Sequence, residues 1–125
     1  VGVESHGLRA LQLPFNVEMA DAFTVKSQPT DDGPVSALEY AHESGLSVVT
    51  SASIGQGDLA AAIPPEVDAE LSGDTAAQRA INFARSAPGV TTSLVGTCSV
   101  DHVAENVAAG TFDPLGAGAF DQVFE

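Results

Sequence analysis

The sequence predicts an α/β fold: three strand–helix units on a parallel sheet that is incomplete as a domain. Three observations carry this reading. Strand-like apolar stretches alternate with stretches of helical period, which argues for parallel strands joined by right-handed crossovers. The strands begin near residues 8, 46 and 90, so each unit is long enough to hold a crossover helix. A parallel sheet is normally covered on both faces, and three strands alone would leave two open edges and one bare face.

Each element has a local cause. The first strand is expected over Leu8 to Phe15, an apolar run that tolerates Pro14 only near its end. A loop rich in Asp, Ser, Thr and Pro follows over 16–33. Asp31-Asp32-Gly33-Pro34 reads as a helix start, with an acidic cap pair and Pro34 at the first helical position. Val35, Leu38 and Ala41 would form its buried stripe, and Gly45 its left-handed stop. Leu46 to Ser51 has the β-branched enrichment of a second strand. A short helix is expected over Pro65 to Leu71, closed by Gly73. Thr75 and Gln78 have capping-box spacing, and Ala77, Ala80, Ile81 and Ala84 behind them share one helical face. Pro88-Gly89 ends that helix, and a third strand is read over Val90 to Val95. Ser99 caps a last helix with a Val100, Val103, Ala104, Val107 stripe and a stop at Gly110. The tail from Thr111 carries Phe112, Phe120 and Phe124, whose arrangement has no readable period.

Composition excludes several functions. Among 125 residues, 17 are Asp or Glu and 4 are Lys or Arg, giving a net charge of −13, while 44% are hydrophobic. That is enough hydrophobe for a core. Arg9, Lys26, Arg79 and Arg85 lie scattered, so no cationic cluster is available to neutralise phosphates, and nucleic acid is not an expected partner. Nor is an anionic membrane surface. No apolar run approaches the roughly 20 residues that span a bilayer, and Glu4, His6 and Arg9 break up the apolar start of a would-be signal peptide. A cytoplasmic location is the expectation. An acidic shell almost without lysine is one solution to solubility at very high salt, a halophilic reading; an ordinary acidic protein is the alternative. The single cysteine, Cys98, is read as a buried inert thiol. His6, His42 and His102 have no metal-ligand spacing and are read as surface residues.

Several stretches together resemble the C-terminal half of the aldo-keto reductase family. They are Leu11-Gln12-Leu13-Pro14-Phe15-Asn16, then Val48 to Gly57, then Ala77 to Arg85, then Val90 to Val95 running on through Gly96-Thr97-Cys98-Ser99 to Glu105-Asn106. The last segment, a strand opening into a helix that carries Glu-Asn, is the most specific; the others are collinear with it over residues 8–110. The resemblance implies a partial (β/α)8 barrel, with residues 1–125 supplying its last three units in sequential strand order. It implies an oxidoreductase that moves hydride from NADPH or NADH to an aldehyde or ketone, without metal or flavin.

The site residues follow from the same resemblance. Gln12 matches the glutamine that holds the nicotinamide carboxamide; the alternative is a strand-end amide bonded to neighbouring backbone. Ser51, Ala52, Ile54, Gly55 and Gln56 match the loop along the nicotinamide ribose and pyrophosphate, where Gly55 and Gly57 would let backbone amides approach phosphate. Ser51 stands where many members place an aromatic ring. Gly96, Thr97 and Ser99 match the adenosine-side phosphate site, at a helix N-terminus that favours anions. Many NADPH-preferring members carry Lys and Arg at the positions of Gly96 and His102, so selection for the 2′-phosphate is unsupported. His102 would stack on adenine or bond phosphate, or else stand in solvent. Glu105 and Asn106 match the residues that bond the adenine edge, and are otherwise polar positions on a helix face.

The family's tetrad of Asp, Tyr, Lys and His belongs to the first four strands, which have no counterpart here. Tyr40 and Lys26 fall at no strand end. This portion would therefore supply cofactor grip, as a truncated or split product or as part of a larger chain, and be inactive alone. The contrasting reading is a non-catalytic nucleotide-binding or assembly module, in which a missing N-terminal half or self-association covers the sheet. A small doubly wound domain is a third reading, and would place the first strand centrally.

Overall fold

A computed structural model describes residues 5–61 and 63–125. Glu4 lies outside the described residues. Three strands, β1 (Ala10–Pro14), β2 (Ser47–Ser51) and β3 (Thr92–Ser93), form one parallel sheet in the order β1-β2-β3. This is the sequential order expected of consecutive barrel units, and the doubly wound alternative is not what the chain adopts. β3 is shorter than the run Val90 to Val95 predicted. Its ladder nonetheless extends past the strand, because Thr91 N–H donates to Val48 O and Leu94 N–H to Thr50 O.

Register assigns the two faces. Ala10 pairs with Ser47, Gln12 with Val49, Pro14 with Ser51, and Val49 with Thr92, so these residues share one face by the two-residue period of a strand. That face is small or polar, and Ala10, Gln12, Pro14, Ser47 and Thr92 are exposed on it. Leu11, Leu13, Val48 and Thr50 point the other way, toward the helices, where Val48 and Thr50 are fully buried. One sheet face is covered and the other is bare.

The helical layer is built from α1 (Asp21–Thr24), α2 (Ala37–Glu43), α3 (Pro65–Asp68), α4 (Ala76–Ser86), α5 (Val100–Ala108) and α6 (Ala117–Gln122). α2 begins later than Asp31–Pro34 predicted. Gln28 and Val35 pair as an antiparallel bridge, and the Asp31-Asp32 pair forms the turn between them, closed by Thr30 and Gly33. Ser36 then caps α2 by accepting from Glu39 N–H. Of the predicted stripe, Leu38 and Ala41 are buried and Val35 belongs to the bridge. Gly45, at φ +68°, turns the chain out of α2 as expected. α4 carries the predicted capping box of Thr75 and Gln78. It is buried nearly all round, through Gln78, Asn82, Phe83 and Ser86 as well as the apolar face.

Two expectations fail at the C-terminal end. The Val100, Val103, Ala104, Val107 stripe of α5 is exposed, with Val100 at 85%, Val107 at 72% and Val103 at 46%. α5 docks instead through Glu105, which is tied to the start of α4, and nothing among the described residues covers its valines. Gly110 does not stop the helix; Ala109–Thr111 continues it as a 3-10 turn. Beyond, Phe120 of α6 is fully buried among Phe15, Phe23 and Phe83, with ring centroids 6.3, 5.1 and 5.0 Å away. Polar groups of α4 hold the connecting segment: Asn82 Nδ2 donates to Ser72 O and Asp113 O, and Arg85 donates to Asn82 Oδ1 and Phe112 O. Leu115 N–H donates to Ser86 Oγ.

Candidate functional site

The two loops that leave the C-terminal ends of β2 and β3 are fastened to each other from below. Thr50 Oγ1 donates to Ser93 Oγ at 2.8 Å and lies 3.3 Å from Ser53 Oγ, which in turn donates to Leu94 O. Thr50 and Ser53 are buried, so this hydroxyl cluster fixes the spacing of the loops above it. The β2 loop turns sharply. Ala52 and Gln56 adopt φ of 54° and 56°, and Gly55 and Gly57 adopt 55° and 105°. Left-handed backbone at a non-glycine residue is a strained conformation that concentrates at functional loops. Ala52 is held in it partly by Asn16, whose Nδ2 donates to Ala52 O at 2.8 Å.

The β3 loop ends at Ser99, whose hydroxyl accepts from His102 N–H and caps α5 as expected. The other N–H groups of the first turn have no intrahelical acceptor, and with the helix dipole they make this end receptive to an anion. α5 is set against α4 by an extension of the capping box. Gln78 Oε1 accepts from Asp74 and Thr75 N–H while its Nε2 donates to Glu105 O, and Thr75 Oγ1 donates to Glu105 Oε1.

Between the loops lies a cleft of about 620 Å³. It brings together Gly57 and eight residues matched to a cofactor by resemblance: Ala52, Ile54 and Gln56 beside it, Gly96 and Thr97 on the opposite loop, and His102, Glu105 and Asn106 on α5. Gln12, Ser51, Gly55 and Ser99 do not line it. Gln12 and Ser51 sit on neighbouring strands of the bare sheet face, a separate surface just below the same rim. Gly55 turns the loop; a Cβ there would meet Leu59 Cγ at 3.3 Å. The N–H groups of Gly55 and Gly57 already donate to Ala52 O and Ile54 O. These two amides close the turn, while Gly57 on one side and Gly96, Thr97 and Cys98, leading into the α5 N-terminus, on the other line the cleft.

Ser53, inside the 51–56 stretch that the resemblance matches to the cofactor loop, lines the cleft as well. Sequence reasoning missed Ala60, Ala77, Leu94, Val95 and Cys98, which also line it. Leu94 and Val95 were read as interior strand. Cys98 corrects a further expectation: it is exposed rather than buried, because β3 ends before it and the loop lifts it to the rim. His42 and His102 are exposed as expected, while His6 is half-buried. No cluster of metal-ligating side chains occurs among the described residues. No helix among them is long and apolar enough to cross a membrane.

No family model matches the chain, and no curated protein matches it. Solved structures do. The holo form of aldo-keto reductase AKR11C1 from Bacillus halodurans is similar over 93% of this chain, with a TM-score of 0.62 and 18% identity. The apo form of the same protein is similar over 94%, with a TM-score of 0.64 and 20% identity. These alignments cover 41% and 43% of those chains, so this chain spans about two-fifths of the length of the structures it matches. The three consecutive parallel β/α units have an aldo-keto reductase-like fold, a sector of that barrel.

Proposed function

We propose that this chain is the cofactor-gripping sector of an NAD(P)H-dependent carbonyl reductase. The carrying observation is the cleft: eight residues chosen by resemblance alone converge on one cavity at the rim where barrel sites are built. The donor set fits a dinucleotide. The α5 N-terminus, reached from the cleft through Gly96, Thr97 and Cys98, offers N–H groups to a phosphate. Glu105 has one carboxylate oxygen not used by Thr75, and Asn106 beside it adds a donor and an acceptor suited to a purine edge. Ile54, Leu94 and Val95 give apolar wall. Gln12, on the bare face one strand away from Ser51, would meet the nicotinamide end. When bound, the reduced nicotinamide supplies hydride to a carbonyl carbon.

Neither Tyr40 nor Lys26 stands at the rim to protonate the carbonyl oxygen. Tyr40 stands on α2 beside Leu8, Leu11 and Pro29 on the helix side of the sheet, and Lys26 is exposed after α1. Without a positioned acid, carbonyl reduction loses a factor of roughly 10²–10⁴. The bare face and the exposed valines of α5 are where a complementary portion of barrel, or another copy, would sit. A titration following nicotinamide fluorescence, together with an aldehyde panel, tests the reading. The expected result is saturable binding of NADH with little or no turnover. Robust turnover by the chain alone, or no binding, would overturn it.

A further inference from the structure

Each of the first two strand–helix units returns the chain to a strand beside the one it left, in the order β1-β2-β3. After α5 the chain runs back to α4 instead, where Asp113 O accepts from Asn82 and Phe120 is buried against Phe83. Among the described residues, β3 therefore keeps one edge without a partner strand. A groove of about 370 Å³ runs along that edge. Thr91, Thr92 and Ser93 all line it, three successive residues, whereas a groove on one sheet face would meet alternate ones. Ile81 of α4 and Val103 and Val107 of α5 form its apolar sides, and both valines are exposed. Open-edge N–H and C=O groups beside apolar side chains are what an added strand pairs with.

The charge of the groove specifies that strand further. The chain has 17 Asp and Glu, yet no carboxylate is among the described residues lining the groove, and Arg85 is its one charged group. Arg85 is half-buried. Its Nη1 donates only to neutral oxygens, Asn82 Oδ1 and the carbonyls of Ala109 and Phe112, and its Nε and Nη2 have no acceptor among the described residues. A cation withdrawn from water is ordinarily paired, and a guanidinium presents a fork that matches a carboxylate. We propose that the β3 edge is a peptide-docking site. It takes an extended, otherwise uncharged segment of a separate polypeptide, which lies along β3 and sets an Asp or Glu side chain against Arg85. A second copy of this chain is the poorer occupant, because two chains of −13 repel. The site stands whether or not a nucleotide fills the cleft.

The probe is a blocked synthetic hexapeptide, acetyl-Thr-Val-Glu-Val-Thr-Val-amide, titrated at pH 7 into the full ¹⁵N-labelled chain, with a Gln-for-Glu peptide as its match. Amide shifts should concentrate on Thr91 to Val95 and on Val103 and Val107. The Glu peptide should bind about tenfold tighter than the Gln peptide, the yield of one charge-assisted contact. Arg85→Gln should abolish that preference and Arg85→Lys should keep part of it. Because Arg85 also holds the C-terminal segment, Val107→Asp serves as the second variant. It adds a carboxylate to the groove at an exposed position, so the folded amide spectrum should persist while the Glu peptide weakens by about tenfold or more. Glu and Gln peptides binding alike would refute the pairing with Arg85. No binding of either, or shifts elsewhere, would refute the docking site. Glutarate binding as tightly as the Glu peptide would replace the strand with a small acid. A dimer in sedimentation that protects the same edge without peptide would replace the separate partner with a second copy. NADH fluorescence on the same samples reads the cleft independently of all these results.

Discussion

Asn82 is the perturbation the structure specifies most closely. Its side chain is fully buried on α4 and makes three hydrogen bonds: Nδ2 to Ser72 O at 3.0 Å, Nδ2 to Asp113 O at 3.0 Å, and Oδ1 from Arg85 at 2.8 Å. It thereby joins the loop before α4, the cleft's supporting helix and the C-terminal segment. Asn82→Ala removes all three, at about 1 kcal/mol net each, and leaves a small cavity. Arg85 keeps the carbonyls of Phe112 and Ala109, so it is not orphaned, and the expected loss is about 2–4 kcal/mol. For a chain of this length that lowers Tm by roughly 8–16 °C. Asn82→Asp separates hydrogen bonding from packing. It preserves volume and the bond to Arg85, but points an acceptor at two carbonyl oxygens. Urea denaturation of both variants at pH 7 should place the aspartate variant no higher in stability than the alanine variant. An Asn82→Asp chain within about 1 kcal/mol of the parent would refute the donor role, because only packing would then matter.

Two other consequences are directly measurable. Ala52 holds φ +54° at the cleft rim, where an L side chain costs about 1–2 kcal/mol; Ala52→Gly should leave thermal stability nearly unchanged, whereas Ala52→Val should lower it by about 2 kcal/mol in chemical denaturation. Every described Asp and Glu except Asp68 and Glu105 is exposed, and Arg79–Asp68 is the ion pair among the described residues. Self-repulsion of this shell should be relieved by salt, so Tm should rise by several degrees from low to molar KCl, and a flat salt profile would reject the halophilic reading.

What the sequence made legible was chemistry that acts over a few residues. The Thr75–Gln78 box, the Ser99 cap, the Gly45 stop and the β-branched run of β2 each require only local partners, and all four occur as read. The misreadings involve partners distant in sequence. Asp31-Asp32 has the composition of a helix cap, but Val35 pairs back to Gln28 and delays α2 to Ser36. The valines of α5 have regular helical spacing, yet spacing does not say whether a surface exists to cover them. Asn82, Arg85 and Ser86 hold the tail mainly through its backbone carbonyls and amides, groups that every residue carries and that leave no trace in composition. At the site, Ala52 to Gln56 and Gly96 to Asn106 were found because the resemblance is concentrated there. Gly55 and Gly57 take the left-handed φ that lets the loop turn, and their own N–H groups close it onto Ala52 O and Ile54 O, a pairing that composition does not reveal.

The functional reading of this chain rests on a dinucleotide occupying the cleft between the β2 and β3 loops, at the rim of a barrel sector. A crystal structure of the chain grown with NAD⁺ would show this without intermediaries. It should reveal a pyrophosphate at the N-terminus of α5, adenosine against Glu105 and Asn106, and the nicotinamide end directed toward Gln12 and Ser51 on the bare sheet face. A nucleotide bound on the helix side of the sheet, or a cleft left empty at saturating NAD⁺, would contradict it.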